Sequence, residues 1–231
     1  KVVNEKLLLL METYKLSFSD LSECLSSFAN LKVHVVGDTI VDSYTRTSFI
    51  GGQTKTPTFS VLKEGRDDYV GGAGIVAKHL SAAGADVTFS TILGEDDLKN
   101  YVLNDLKSFG VKVLPIIDNS RPTTNKNVFI ASSYRLLKVD TLDNRPIGRS
   151  LLDKLLLQVS EVNSDIVVFS DFRHGIFSKY SIDELTSAIP NEVFKVADSQ
   201  VASRWGNITE FKGFDLITPN EREARFALAD Q

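Results

Sequence analysis

Val70-Gly71-Gly72-Ala73-Gly74-Ile75-Val76-Ala77 decides the architecture of this chain, together with Gly37-Asp38-Thr39-Ile40-Val41-Asp42 upstream. Both stretches stand where a buried strand should end. The apolar run Val33 to Val36 stops at Gly37, and Tyr69-Val70 stops at Gly71-Gly72. Behind the second comes an Ala-rich segment, 73–83, with apolar residues at helical spacing. Adjacent glycines at a strand-to-helix turn let backbone N–H groups approach a ligand at the positive end of a helix. Asp42 is then available to accept from hydroxyl groups. These features point to a small polyhydroxylated or phosphorylated ligand.

Around these stretches, strand and helix patterns alternate. Apolar runs predict strands at 32–36, 86–92, 111–117, 165–169, 193–197 and 214–217, and helical patterns lie at 73–83, 97–109, 148–160, 182–188 and 220–229. Such alternation predicts an α/β fold, a mostly parallel sheet flanked by helices. Residues 44–70, around Gly51-Gly52 and Pro57, and residues 122–140, around Ser132-Ser133, break the rhythm and read as β-hairpins. Hairpins from two distant places can pair into a small sheet projecting from the main domain as a lid. Residues 1–30 read as a helical extension, with Leu7, Leu10, Met11 and Tyr14 on one face and an N-cap signal at Ser19-Asp20-Leu21-Ser22-Glu23. The domain proper is expected over 31–231.

The 231 residues carry a net charge of −4, which argues against broad binding to nucleic acid or an anionic membrane surface. The single Cys24 excludes an internal disulfide and fits a reducing compartment. The apolar run Leu7 to Met11 is far too short to span a bilayer. The expected address is the cytoplasm. The chain starts at Lys1 and stops at Gln231 within a helical pattern, so it reads as truncated at its C-terminus.

Six motifs follow one another from Lys32 onward: Val36-Gly-Asp-Thr-Ile-Val-Asp42, Gly71-Gly-Ala-Gly-Ile-Val-Ala77, Arg121-Pro-Thr-Thr-Asn-Lys126, Leu136-Leu-Lys-Val-Asp140, Ser170-Asp-Phe-Arg-His-Gly175 and Thr218-Pro-Asn-Glu-Arg-Glu223. In this order the sequence resembles the ribokinase-like (PfkB) carbohydrate kinases, and among them the heptose-phosphate kinase domain of bifunctional ADP-heptose synthases. The resemblance implies transfer of the γ-phosphoryl group of ATP, with Mg²⁺, to a hydroxyl of a sugar or sugar phosphate. It also implies a homodimer through the lid.

The resemblance assigns Asp42, Gly71 and Gly72 to the sugar, although Asp42 alone reads equally as a turn or capping residue. It brings Lys126 near the substrate, where it could pair with a phosphate already on the sugar; a lysine guarding a strand edge is the competing reading. Lys138 and Asp140 close the same hairpin, as part of the site or as an exposed cross-strand charge pair. Asp171 and Asp198 end apolar runs, at the edge where open α/β sheets bind ligands. His174 stands close by and could touch a phosphoryl group, although a loop histidine is more often structural. Asn220 and Glu223 match the family's Asn-x-x-Glu pair, which organises water around Mg²⁺ and the phosphates; the same two residues also spell a capping box.

Two departures temper the assignment. Ile75 stands where the family usually carries a substrate-contacting Asn, and an apolar side chain cannot replace an amide's hydrogen bonds. The family's Gly-Ala-Gly-Asp turn, with its catalytic base, does not occur; the base is expected beyond Gln231, and the chain alone is expected to be inactive. A non-catalytic sugar-binding or regulatory module, joined to a nucleotidyltransferase, is the alternative. A dinucleotide-dependent oxidoreductase lacks its three-glycine spacing after the first strand.

Overall fold

The apolar run that begins at Val33 becomes the middle of a parallel sheet. The computed structural model describes residues 2–50, 58–200 and 206–230. In chain order its elements are α1 (Val2–Tyr14), α2 (Phe18–Ser27), β1 (Lys32–Gly37), β2 (Thr39–Phe49), β3 (Val61–Gly72), α3 (Ala73–Ala82), β4 (Asp86–Leu93), α4 (Asp97–Ser108) and β5 (Lys112–Ile117). There follow β6 (Asn125–Ala131), β7 (Tyr134–Thr141), α5 (Arg149–Glu161), β8 (Ile166–Asp171), α6 (Ser181–Ala188), β9 (Phe194–Ser199), β10 (Leu216–Ile217) and α7 (Glu221–Ala227).

Among the described residues the main sheet runs β10-β9-β8-β1-β4-β5, with every pairing parallel. Each predicted strand and helix after residue 31 forms within a few residues of its expected limits. Strand β1 shows why the sheet carries helices on both faces. Val33 and Val35 point into one core with Phe89, Val102 and Leu106, whereas Val36 points into the other with Leu155, Phe169 and Leu185. This is the period-2 alternation of a strand buried on both sides. Val35 and Val36 are fully buried, each contributing about 2 kcal/mol of apolar transfer. Under the second core four aromatic rings interlock, with Phe169 5.1 Å from Phe177 and 5.4 Å from Phe214.

The lid is a second sheet, β3-β2-β6-β7. Two antiparallel hairpins, β2/β3 and β6/β7, join through the parallel pair β2/β6. The first hairpin begins nearer the core than residue 44 suggests, because β2 starts at Thr39 and β3 runs to Gly72, where α3 follows directly, whereas β6 begins at Asn125, inside the expected 122–140. Ser132 takes φ +55° in the tight turn between β6 and β7. Gly51-Gly52 and Pro57 lie outside the described residues.

Three local readings are corrected. The cap of α2 is Ser17, whose Oγ accepts from Asp20 N at 3.1 Å while Asp20 Oδ2 accepts from Ser17 N at 2.7 Å; the signal at Ser19 and Glu23 loses to this closer pair. Of the apolar face expected on α1, only Met11 is buried. Helix α7 ends at Ala227, and Ala229 at φ +55° lets Asp230 N donate to Arg225 O at 2.9 Å, closing the helix in a left-handed turn. Among the described residues no helix is long and apolar enough to cross a membrane.

Candidate functional site

The site is assembled at the C-terminal edge of the parallel sheet, where β1 passes into the lid. Asp42 pairs in register with Tyr69 on β3 and with Lys126 on β6. A Cβ on Gly71 would lie 2.5 Å from Asp42 Oδ2, so the missing side chain leaves the space that the carboxylate fills. Gly72 serves differently. Its φ is +61°, and a Cβ there would lie 2.4 Å from the Asp38 carbonyl oxygen. That carbonyl in turn accepts from Ala73 N at 2.9 Å, tying the start of α3 to the end of β1. The two glycines therefore act through close packing, one making room for Asp42 and the other shaping the strand-to-helix turn.

Charge gathers around Asp42. Burial raises its pKa, and Asp140 adds to the shift, while Lys126 and Lys138 pull it back. Lys138 pairs with Asp140 at 3.4 Å along β7 rather than across strands, as both residues lie on that one strand. The same lysines bear on His174, whose pKa burial and then Lys126 lower to about 4. Asp42, Lys126, Lys138, Asp140 and His174 thus share one electrostatic neighbourhood. Tyr44 and Tyr69 pack edge to face beside Asp42, ring centroids 5.9 Å apart.

Beneath this patch lies an acid that the motifs place but give no role. Asp38 is buried; its Oδ2 accepts from Phe172 N at 3.2 Å and His174 N at 3.1 Å, and its Oδ1 from Ile176 N at 3.3 Å. It thereby fastens the loop after β8 to the end of β1. Burial, then repulsion from Asp171, pushes its pKa to about 6 against the pull of those three amides. Asp171 is fully buried and its oxygens are engaged within the protein: Arg173 N at 2.8 Å, Arg173 Nε at 2.8 Å and Ser199 Oγ at 2.9 Å. Arg173, at φ +56°, also pairs with Glu210. The geometry gives Asp171 a place in shaping the loop.

The remaining expected residues lie further along the same edge. Asp198, near the end of β9, accepts from Thr218 Oγ1 at 2.9 Å. It stands two strands from β1, about 10 Å by strand spacing. Asn220 and Glu223 form the capping box of α7, with Glu223 N donating to Asn220 Oδ1 at 3.0 Å. Glu223 Oε2 accepts from Asn220 N at 2.9 Å and Oε1 from Asn220 Nδ2 at 2.6 Å. A carboxylate has about four lone-pair sites, so two remain for water. Among the described residues no group of three acidic, His or Cys side chains could cage a metal. The two remaining lone pairs of Glu223 can accept from the waters of a hydrated Mg²⁺ carried on phosphates.

Sequence reasoning quoted Asp38 without a role, left His174 between a structural and a phosphoryl-contact role, and did not single out Tyr44 or Tyr69 for the site. The position of Asp38 directly after Gly37 at a strand end was the available signal.

Comparison with known proteins identifies the family and the fold. The pfkB family carbohydrate kinase pattern matches residues 30–231. Bifunctional protein HldE of Trichlorobacter lovleyi is 29% identical over 204 residues, covering 86% of this chain and 40% of that protein. D-beta-D-heptose 7-phosphate kinase of Bordetella bronchiseptica is 29% identical over 204 residues, covering 87% and 62%. The chain spans about two fifths of the length of the HldE proteins it matches. Phosphofructokinase-2 of Escherichia coli, in complex with substrates and products, superposes with a TM-score of 0.65 at 17% identity, covering 87% of this chain and 64% of that one. Arabidopsis thaliana ribokinase, complexed with ribose and ATP, gives 0.62 at 18%, covering 85% and 62%. At such identities the structures show a shared fold.

Proposed function

The chain belongs to the pfkB family of carbohydrate kinases, and from that premise we propose that it is the sugar-binding part of an ATP-dependent kinase acting on a sugar or sugar phosphate, a heptose phosphate by preference. The observation that carries the reading is the Asp42 carboxylate seated over Gly71 with Lys126 beside it in register. An acid amid cations suits a ligand carrying both hydroxyls and a phosphate. The relative named as a D-beta-D-heptose 7-phosphate kinase supports the same class.

In the reaction a substrate hydroxyl oxygen bonds to the γ-phosphorus as the bond to the β–γ bridging oxygen breaks and ADP leaves. Asp42 accepts from neighbouring sugar hydroxyls and fixes the ring. Tyr44 and Tyr69 offer an aromatic surface to its apolar face. Lys126 and Lys138 neutralise a phosphate already on the sugar. Asp198 lines the edge between the sugar and nucleotide ends. Mg²⁺, when bound with ATP, offsets charge on the phosphates, and Asn220 and Glu223 would orient its waters. The base that takes the hydroxyl proton is none of these residues.

A coupled ADP-release assay over a panel of sugars and their phosphates tests this. Turnover with heptose 7-phosphate, lost in Asp42→Ala, is the expected result; binding without turnover would favour the non-catalytic module instead. That second reading draws on half-buried Ile75 near the start of α3, which offers no hydrogen bond where the family has an amide. Exposed Tyr134, Leu137 and Val139 on the outer lid strand β7 support a homodimer through the lid, which light scattering would test.

A further inference from the structure

His174 combines three features that the family assignment does not use. Its Nδ1 lies 2.7 Å from Asn144 Oδ1. An amide oxygen only accepts, so Nδ1 carries the proton and Nε2 is left with a lone pair. Nε2 is buried and has no partner among the described residues. An unmet buried acceptor is costly, so it calls for a partner such as a ligand hydroxyl or an ordered water. The residue also lines a narrow recess with Asp38, Thr39, Arg121 and Thr124, whose free volume of ≈ 10 Å³ is about that of one oxygen-centred group.

We propose that His174 is a substrate-contact residue, in which Nε2 accepts a hydrogen bond from one hydroxyl of the sugar. The inference rests on the sugar-kinase reading and deepens it by naming what the residue recognises. The lysines nearby make the point sharper. Lys126 and Lys138 disfavour a second proton on the ring, whereas Asp140 favours one, and burial tips the balance toward the neutral form. A neutral ring with a free lone pair is a poor phosphate ligand and a good hydroxyl acceptor. The phosphate is left to the lysines. His174 then works beside Asp42 as a second acceptor, selecting a sugar with a hydroxyl at that position against its deoxy analogue.

Two substitutions separate an acceptor from an anion contact. His174→Gln keeps an acceptor oxygen, and His174→Lys offers only donors and a positive charge. For the kinase acting on heptose 7-phosphate, the acceptor role predicts that His174→Lys raises KM about tenfold or more with kcat little changed, while His174→Gln stays within about threefold. A reversed order, with Lys tolerated and Gln impaired, means an anion contact and overturns the proposal. Long-range ¹H–¹⁵N spectra of the unsubstituted protein at pH 7 give a readout that needs no variant. A proton on Nδ1, and a shift of Nε2 on adding heptose 7-phosphate, support the inference. An imidazolium, a proton on Nε2, or an Nε2 resonance unmoved by bound sugar (the recess then holding only water) overturns it. If the unsubstituted protein binds no sugar phosphate, the functional reading falls and this inference with it; if it binds and the Lys variant binds equally, only this inference falls.

Discussion

The carboxylate of Asp42 occupies the space that a side chain on Gly71 would fill, with Oδ2 2.5 Å from the position of that missing Cβ. Gly71→Ala must therefore displace the end of the Asp42 side chain, which can swing, without moving backbone. The expected outcome is a KM for the sugar raised about tenfold, with stability changed by less than about 1 kcal/mol. Kinetics paired with urea unfolding check both halves.

Gly72→Ala should invert that pattern. The added Cβ meets the Asp38 carbonyl oxygen at 2.4 Å, and the backbone holds φ +61°, a region costly for a side chain. The neighbour here is backbone and cannot swing. We expect a loss of at least about 2 kcal/mol, read as a lowered urea midpoint. Equal stability of the two alanine proteins would show that the turn relaxes freely.

Asp38 holds three amides of the loop after β8, so Asp38→Ala should leave Phe172, His174 and Ile176 N–H groups short of an acceptor. A stability loss of about 3 kcal/mol is expected, with faster hydrogen exchange confined first to that loop. Its pKa of about 6, raised by burial above the ordinary 3.8, gives the pH dependence its sign. The unfolded chain releases this proton first, so stability from Asp38 is present below pH 3.8 and lost as pH rises through 6. Asp38→Asn should remove that slope. A slope unchanged in the Asn protein would assign it elsewhere.

His34 contributes the opposite slope. It is fully buried on β1, Nε2 2.8 Å from Ser90 Oγ, and burial holds its pKa at about 4 against the ordinary 6.5. Below pH 6.5 the unfolded chain gains a proton that the folded ring refuses until about pH 4. Stability is therefore full above 6.5 and falls with pH, by about 2 kcal/mol at pH 5. His174 adds a shift of the same direction. Urea midpoints from pH 7 to 5 should flatten in part, but not wholly, in His34→Gln.

What the sequence showed and what it hid divide by range. The sheet was legible because Val33 to Val36 and Ile166 to Phe169 announce buried strands locally, and helix patterns between them force parallel neighbours. The lid was legible for the same reason, and the tight packing at Gly71 and Gly72 followed from their place at a strand end. The role of Asp38 was not legible. Its amide partners lie 134 to 138 residues away, and no local pattern reports a loop folding back over that distance. Asp171 shows the same limit from the other side. Its position at a strand end suggested a ligand contact, yet Arg173 two residues on and Ser199 on the next strand take its oxygens. The free Nε2 of His174 depends on Asn144, 30 residues earlier, which no motif contained.

The lysines of the lid give the most direct test of what the pocket holds. Lys138 and Asp140 are about half exposed and 3.4 Å apart, a pair of the kind that adds less than about 1 kcal/mol to stability. Lys126 faces Asp42 across β2 and β6. Neither lysine supports the core, so Lys126→Gln and Lys138→Gln should unfold as the unsubstituted protein does. If they hold a phosphate, each should raise KM for a sugar phosphate several-fold while leaving the unphosphorylated sugar nearly unaffected. The difference between the two substrates should shrink as salt rises, because partly exposed charges are screened within about 10 Å at 0.1 M. An equal effect on both substrates would assign the lysines to sugar hydroxyls, and any preference for a phosphorylated substrate would then rest on residues other than these two.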